Sequence, residues 1–229
     1  MQLTGPYGIL ATMNNQELLR YPPHIDHRPR FTVGPEDIGQ PLPPQAKLWK
    51  TFETMIRVVP GHIGWLVRGK LYNLFLKSGG DQIHYAEYCR VIAPWNLQIG
   101  RMDGFARGTL INATGGVKIG TYSGTGAYVV ITSAIEEPDP NGPPGAKRVR
   151  VAPVEIGELV WMTNGCVIMP GVTVNDGAFI AAGALVTEDV PSGTVIAGVP
   201  GRPVKKLDLP FARQDGKIVL PEAYIPRKW

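Results

Sequence analysis

Stepping by six from Ile156 reaches Met162, Ile168, Val174, Ile180 and Val186, and every one of these positions is apolar. Four residues after each lie Val160, Cys166, Val172, Ala178, Ala184 and Val190, all small or β-branched. Gly157, Gly165, Gly171, Gly177, Gly183 and Gly193 punctuate the run. A helix repeats at about 3.6 residues and a plain strand at about 2, so neither produces a six-residue column. A short strand followed by a turn does. One aliphatic side chain then points inward from each flat face, and three faces close a triangular coil. The spacing predicts a mainly β fold, a parallel β-helix of hexapeptide repeats, which needs several stacked coils and capped ends.

The same habit starts earlier. Ile99, Phe105 and Ile111 are followed by Ile119 after a step of eight, then by Thr125 and Ile131 at steps of six, with Thr125 the weakest member. The pattern stops between about Ser133 and Ala152. Glu136–Arg150 holds Pro138, Pro140, Pro143 and Pro144, and is expected to hold no regular ladder. It is expected to be a loop ejected between two coils, and long loops in compact domains commonly carry function. The expected organisation is an N-terminal extension over 1–80, a β-helix over 81–206 and a tail over 207–229. Within the extension, 1–45 reads as an irregular, Pro-rich arm. Residues 46–77 read as one or two amphipathic helices split near Pro60-Gly61 that cap the open first coil. A membrane-facing role for them is not favoured.

Composition changes this picture little. The chain has 28 Gly and 22 Pro in 229 residues, but 44% of residues are hydrophobic and no Gly-X-Y period runs through it. Frequent turns between short apolar strands account for those numbers better than disorder or collagen does. The net charge of +4 is modest and its cations are scattered, unlike a nucleic-acid-binding surface. Cys89 and Cys166 lie far apart and form no metal or redox motif. Residues 54–76 come closest to a membrane span, but Arg57, His62, Arg68 and Lys70 interrupt them. Met1 to Gln16 lacks a signal pattern, so a cytoplasmic location is expected.

Ile156–Lys206 resembles the hexapeptide-repeat acetyltransferases. The segments carrying the likeness are Val154-Glu155-Ile156-Gly157, Val160-Trp161, Met169-Pro170-Gly171-Val172, Ala182-Gly183-Ala184-Leu185-Val186-Thr187 and Ala197-Gly198-Val199-Pro200. Upstream, Pro94-Trp95-Asn96-Leu97-Gln98-Ile99-Gly100 is similar to the subgroup of the colanic-acid and the maltose and galactoside O-acetyltransferases. The resemblance implies a left-handed helix, against the usual right-handed crossover of parallel strands. It also implies a homotrimer, and acetyl-CoA bound as acyl donor in a groove between subunits. By motif position the cofactor groove would involve Asn164, Ala182, Thr187, Arg202 and Lys205. Small residues such as Ala182 let a pantetheine arm approach the backbone, and Arg202 and Lys205 can pair with phosphates. Glu188 departs from the family, which carries Lys after the threonine.

The second departure concerns the base. A sugar hydroxyl attacks a thioester only as its proton is removed, and the family supplies a His just before the ejected loop. Here Val130–Pro138 contains none, and the His position falls on Ala134, Ile135 or Glu136. The four histidines, His24, His27, His62 and His84, lie elsewhere, and no metal cluster can be assembled from the sequence. Three readings stay open. Glu136 or Glu137 acts as the base, or the acceptor is an amine that needs less help, or the chain is a non-catalytic binding or scaffolding relative or a variant from which the His has been removed. The leading expectation is an acyl-CoA-dependent acetyltransferase acting on a sugar or amine acceptor.

Overall fold

The computed structural model describes residues 39, 41–80, 83–101, 104–142, 146–208, 212–214 and 217–219. The expected N-terminal arm, with His24 and His27, lies outside the described residues.

Three five-stranded faces build a three-sided β-helix. The first holds Ser78–Gly79, Leu97–Ile99, Val117–Ile119, Val154–Ile156 and Thr173–Val174. The second holds Gly124–Thr125, Trp161–Met162, Phe179–Ile180, Thr194–Ala197 and Arg202–Lys206. The third holds Arg90–Ile92, Leu110–Asn112, Val130–Thr132, Val167–Ile168 and Leu185–Val186. Neighbouring strands are parallel throughout, apart from the antiparallel Arg202–Lys206 edge. Each strand is too short to stand alone; its backbone bonds run to the coils above and below.

The register stacks like upon like. On the first face Ile99 pairs with Ile119, Ile119 with Ile156, and Ile156 with Val174. On the third, Val91, Ile111, Ile131, Ile168 and Val186 follow one another. The second runs Tyr85, Phe105, Thr125, Met162, Ile180 and Ile196. None of these side chains is more than 4% exposed. The six-residue columns of the sequence are therefore the core of the helix.

Coils shorten along the stack. Val91 to Ile111 and Ile111 to Ile131 are steps of twenty residues, Ile168 to Val186 is eighteen, and Ile180 to Ile196 is sixteen. That shortening corrects one detail. Val190, read as the last member of the small-residue column, instead bridges Val174 and completes the first-face column. Gly157 also differs from its companions. Gly165, Gly171, Gly177, Gly183 and Gly193 have positive φ, whereas the left-handed residue of the Gly157 turn is Leu159. What Gly157 permits is close approach of coils, because a Cβ there would sit 2.7 Å from the backbone nitrogen of Asp176.

Thr125 keeps its place in the aliphatic column by pairing its hydroxyl internally. It accepts from Ala106 N at 3.1 Å and lies 3.1 Å from the Thr109 hydroxyl.

Two helices, α1 (Ala46–Ile56) and α2 (Gly61–Asn73), pack on the first coil. Trp49 donates its indole N–H to Val91 O at 3.0 Å, and Tyr72 donates to Cys89 O at 3.3 Å. An aromatic run, Trp49, Tyr72, Tyr85 and Phe105, continues from the helices into the bore, with successive centroids 4.7, 4.9 and 5.2 Å apart. Arg68, fully buried, donates to Tyr85 O, Ile56 O and Val59 O and so fixes the turn between the helices. After the helix, Ala212–Gln214 pairs antiparallel with Lys217–Val219.

Two outcomes follow for stability. Thr125→Val should lower stability by about 1–3 kcal/mol, measured by denaturant unfolding, although valine suits the column, because Ala106 N–H loses its acceptor. Glu53 is buried beneath α1, and burial pushes its carboxyl above the usual 4.5 against the pull of Arg57 and Arg90. A carboxyl raised in the folded state contributes fully below the unfolded value, and that contribution is lost as pH rises through the native value. Glu53→Gln should therefore raise Tm at about pH 7 and change it little at about pH 4.

Candidate active site

The expected loop is a β-hairpin. Ala134–Pro138 pairs with Lys147–Val151 over five residue pairs, from Ala134 with Val151 to Pro138 with Lys147. Pro138 occupies the last pair and Pro140 follows it, while Pro143 and Pro144 lie outside the described residues.

Leaving and rejoining a coil strands backbone groups, and buried polar side chains satisfy them. Ser133 donates its hydroxyl to Asn112 O at 2.7 Å and accepts from Gly115 N at 2.8 Å. Asn112 Oδ1 accepts from both the backbone N–H and the hydroxyl of Thr114, at 3.1 and 2.7 Å. Thr132 donates to Ala134 O at 2.6 Å. All four side chains are buried. Sequence reasoning missed this network; its only local signal was the polar residues Asn112, Thr114, Thr132 and Ser133 just after the column members Ile111 and Ile131.

Glu136 and Glu137 stand on the outgoing strand and are both paired across the hairpin. Lys147 Nζ lies 2.7 Å from Glu136 Oε2. Glu137 takes Arg148 at 2.7 Å on Oε1 and Arg150 at 3.3 Å on Oε2. Arg150 also donates to Pro170 O at 3.3 Å, tying the hairpin to the next coil. Alternation along a strand sends the two carboxylates to opposite sides of the hairpin. Of the other positions where a His was sought, Ala134 is buried in the take-off network and Ile135 is half-buried opposite Arg150.

The five cofactor candidates fall on two corners and an edge. Asn164 and Ala182 sit at the corner between the second and third faces, in successive coils, where Gly183 N donates to Asn164 O at 3.0 Å. Asn164 has a structural duty: its Oδ1 accepts from Ala127 N at 2.8 Å, and a Cβ on Gly126 would collide with that oxygen. Thr187 begins the next corner, beyond Leu185–Val186, and is exposed. Arg202 reaches that corner because Gly201 N donates to Leu185 O at 2.7 Å, folding the closing strand over it. There Arg202 pairs with Glu188 at 3.1 Å. The unexpected carboxylate thus occupies one of the cations assigned to the cofactor. Lys205 is exposed on the second face, opposite Val195.

Trp161 is a further exposed group, its ring lying over Gly124 on the outer side of the second face. The two described histidines stay apart from this region. His62 is exposed in the first turn of α2, and the exposed His84 has its ring 6.2 Å from that of Trp65. Burial pushes the Cys166 thiol up to about 12, as it does that of Cys89, so both behave as packing groups rather than nucleophiles. Among the described residues no group of three or more His, Cys, Asp or Glu could hold a metal ion.

This geometry has known counterparts. The maltose O-acetyltransferase of Clostridium difficile 630 superposes with a TM-score of 0.64 at 26% identity, over 72% of this chain and 87% of that one. A hexapeptide-repeat acetyltransferase of Vibrio cholerae O1 biovar eltor, solved with acetyl coenzyme A, shares the fold with a TM-score of 0.53 at 18% identity, over 71% of this chain and 87% of that one. In sequence, the 2,3,4,5-tetrahydropyridine-2,6-dicarboxylate N-acetyltransferase of Staphylococcus aureus (strain bovine RF122 / ET3-1) is 43% identical over 81 residues, 35% of this chain and 29% of that protein. The chain spans under a third of the length of the first curated relatives it matches. No family model matches it. The repeat region shares the left-handed parallel β-helix fold of the hexapeptide-repeat acyltransferases and is similar to them in sequence.

Asn164→Ala should lower stability by about 0.5–1.5 kcal/mol in denaturant unfolding, because it removes the acceptor of Ala127 N–H whether or not a cofactor is present.

Proposed function

We propose that this protein is an acetyl-CoA-dependent acetyltransferase acting on a hydroxyl or amino group of a sugar or glycan precursor. The observation that carries the reading is the fold likeness to a maltose O-acetyltransferase, which extends over 72% of this chain and 87% of that enzyme. The acetyl coenzyme A in the Vibrio cholerae structure supports the same donor here. In this reading the protein is a cytoplasmic homotrimer, and a neighbouring copy completes the cofactor groove. Asn164, Ala182, Thr187, Arg202 and Lys205 are all exposed on the single chain, as residues awaiting such a wall would be.

The reaction joins the acceptor oxygen or nitrogen to the acetyl carbonyl carbon and breaks the carbon–sulfur bond. The acceptor's proton ends on the departing coenzyme A thiol. Lys205 and, once it leaves Glu188, Arg202 would hold phosphates, Ala182 and Gly183 would let the pantetheine arm lie against the backbone, and the hairpin would border the acceptor. For a hydroxyl acceptor, Glu136 or Glu137 would carry the proton. Their ion pairs are partly exposed, and pairs of that kind are worth about 0–1 kcal/mol, so a bound acceptor can take the cation's place.

An amine acceptor is the second reading, favoured by a chain with no histidine after His84 and by the likeness to an N-acetyltransferase. A neutral amine attacks through its own lone pair and sheds its proton afterwards.

Calorimetry should detect acetyl-CoA binding at or below about 1 mM, and thiol release against panels of sugars and amines should reveal the acceptor. Absence of binding would sink the proposal. With a hydroxyl acceptor, Glu136→Gln or Glu137→Gln should slow turnover by about 100-fold or more. With an amine, both variants should keep their rate.

A further inference from the structure

The capping helices are inverted in polarity. Their inner sides, against the first coil, carry Trp49, Ile56 and Tyr72 but also the buried charges Glu53 and Arg68. Their outer sides carry two apolar stripes. On α1 these are Leu48, Phe52 and Met55, spaced i, i+4, i+7; on α2 and its end they are Ile63, Leu66 and Leu74, spaced i, i+3, i+11. All six are exposed, and Met55, Ile63 and Leu74 keep 67, 72 and 76% of their surface. An outer face of this kind marks an interaction surface.

The charge around it selects the partner. Between Ala46 and Lys77 the cations are Lys47, Lys50, Arg57, Arg68, Lys70 and Lys77, and the sole acid is Glu53, which is buried. Lys47, Lys50, Lys70 and Lys77 are exposed. A second copy docking through this face about a two-fold axis would set cations against cations. An anionic lipid surface satisfies both features. Its acyl boundary takes the leucine, methionine and isoleucine side chains, and its headgroups take the lysines, whose long stems reach outward from an apolar stripe. No helix among the described residues is long and apolar enough to cross a membrane, so the contact is interfacial. Capping and lipid contact use different residues of the same helices and do not compete.

We propose that the outer face of α1 and α2 is a peripheral docking surface for anionic membranes. The proposal is independent of the transferase reading, since none of these residues belongs to the candidate active site.

The test is flotation of the full chain with two kinds of vesicle, phosphatidylcholine alone and phosphatidylcholine with about 30 mol % phosphatidylserine. Binding is expected to the second kind, falling as salt rises. Met55→Glu with Leu66→Glu should cut the bound fraction by about tenfold. Lys47→Glu with Lys70→Glu should abolish the preference for phosphatidylserine. These positions are exposed, so circular dichroism and Tm should remain those of the parent and separate lost docking from lost fold. Three results would overturn the idea. They are no vesicle binding by the parent chain, binding indifferent to both double variants, or sedimentation showing self-association that Met55→Glu with Leu66→Glu abolishes while vesicles go unbound.

Discussion

The structure depends on one constraint: a side chain in one coil must rest on its counterpart in the next. Ile99, Ile119, Ile156 and Val174 do so on one face, and Val91 through Val186 on another. Strands of two or three residues bury too little to be stable singly, so coil-to-coil packing and the backbone bonds beside it act together. The register then dictates which residues can be corners, which can be outside, and where the chain can leave.

Chemistry follows from that division. The inside of the helix is closed to solvent, so anything that meets a ligand must lie on an outer face, a corner or an excursion. The hairpin leaves at the corner reinforced by Asn112, Thr114, Thr132 and Ser133. Glu136 and Glu137 are carried out on it, and Arg150 anchors it to the following coil at Pro170. At the other end of the stack, the fold of the closing strand over Leu185 brings Arg202 to Glu188.

Much of the helix was legible in the sequence because its period is short and its columns are strict. Thr125 read as weak because its partners, Ala106 N and Thr109, are defined only after the coil closes. Val190 was assigned to the wrong column because a coil two residues shorter leaves the six-residue count intact until its last step. The hairpin was hidden by its prolines, and its register rests on cross-strand charges eleven residues apart, such as Glu136 with Lys147. For the site, the residue types were legible and their existing commitments were not. The partner of Asn164 is Ala127 N, thirty-seven residues away, and the pairing of Glu188 with Arg202 needs a chain reversal that no local pattern announces.

A stack of identical parallel coils has no intrinsic length, since each new layer offers the edge that the next could use. Here growth is stopped at both limits. Aromatic rings from the helices fill the wide opening, and the antiparallel Arg202–Lys206 strand lies along the last layer with its cations outward. An aromatic plug at one end and a reversed strand at the other thus take away the matching parallel layers that tip-to-tip growth into a fibre would need.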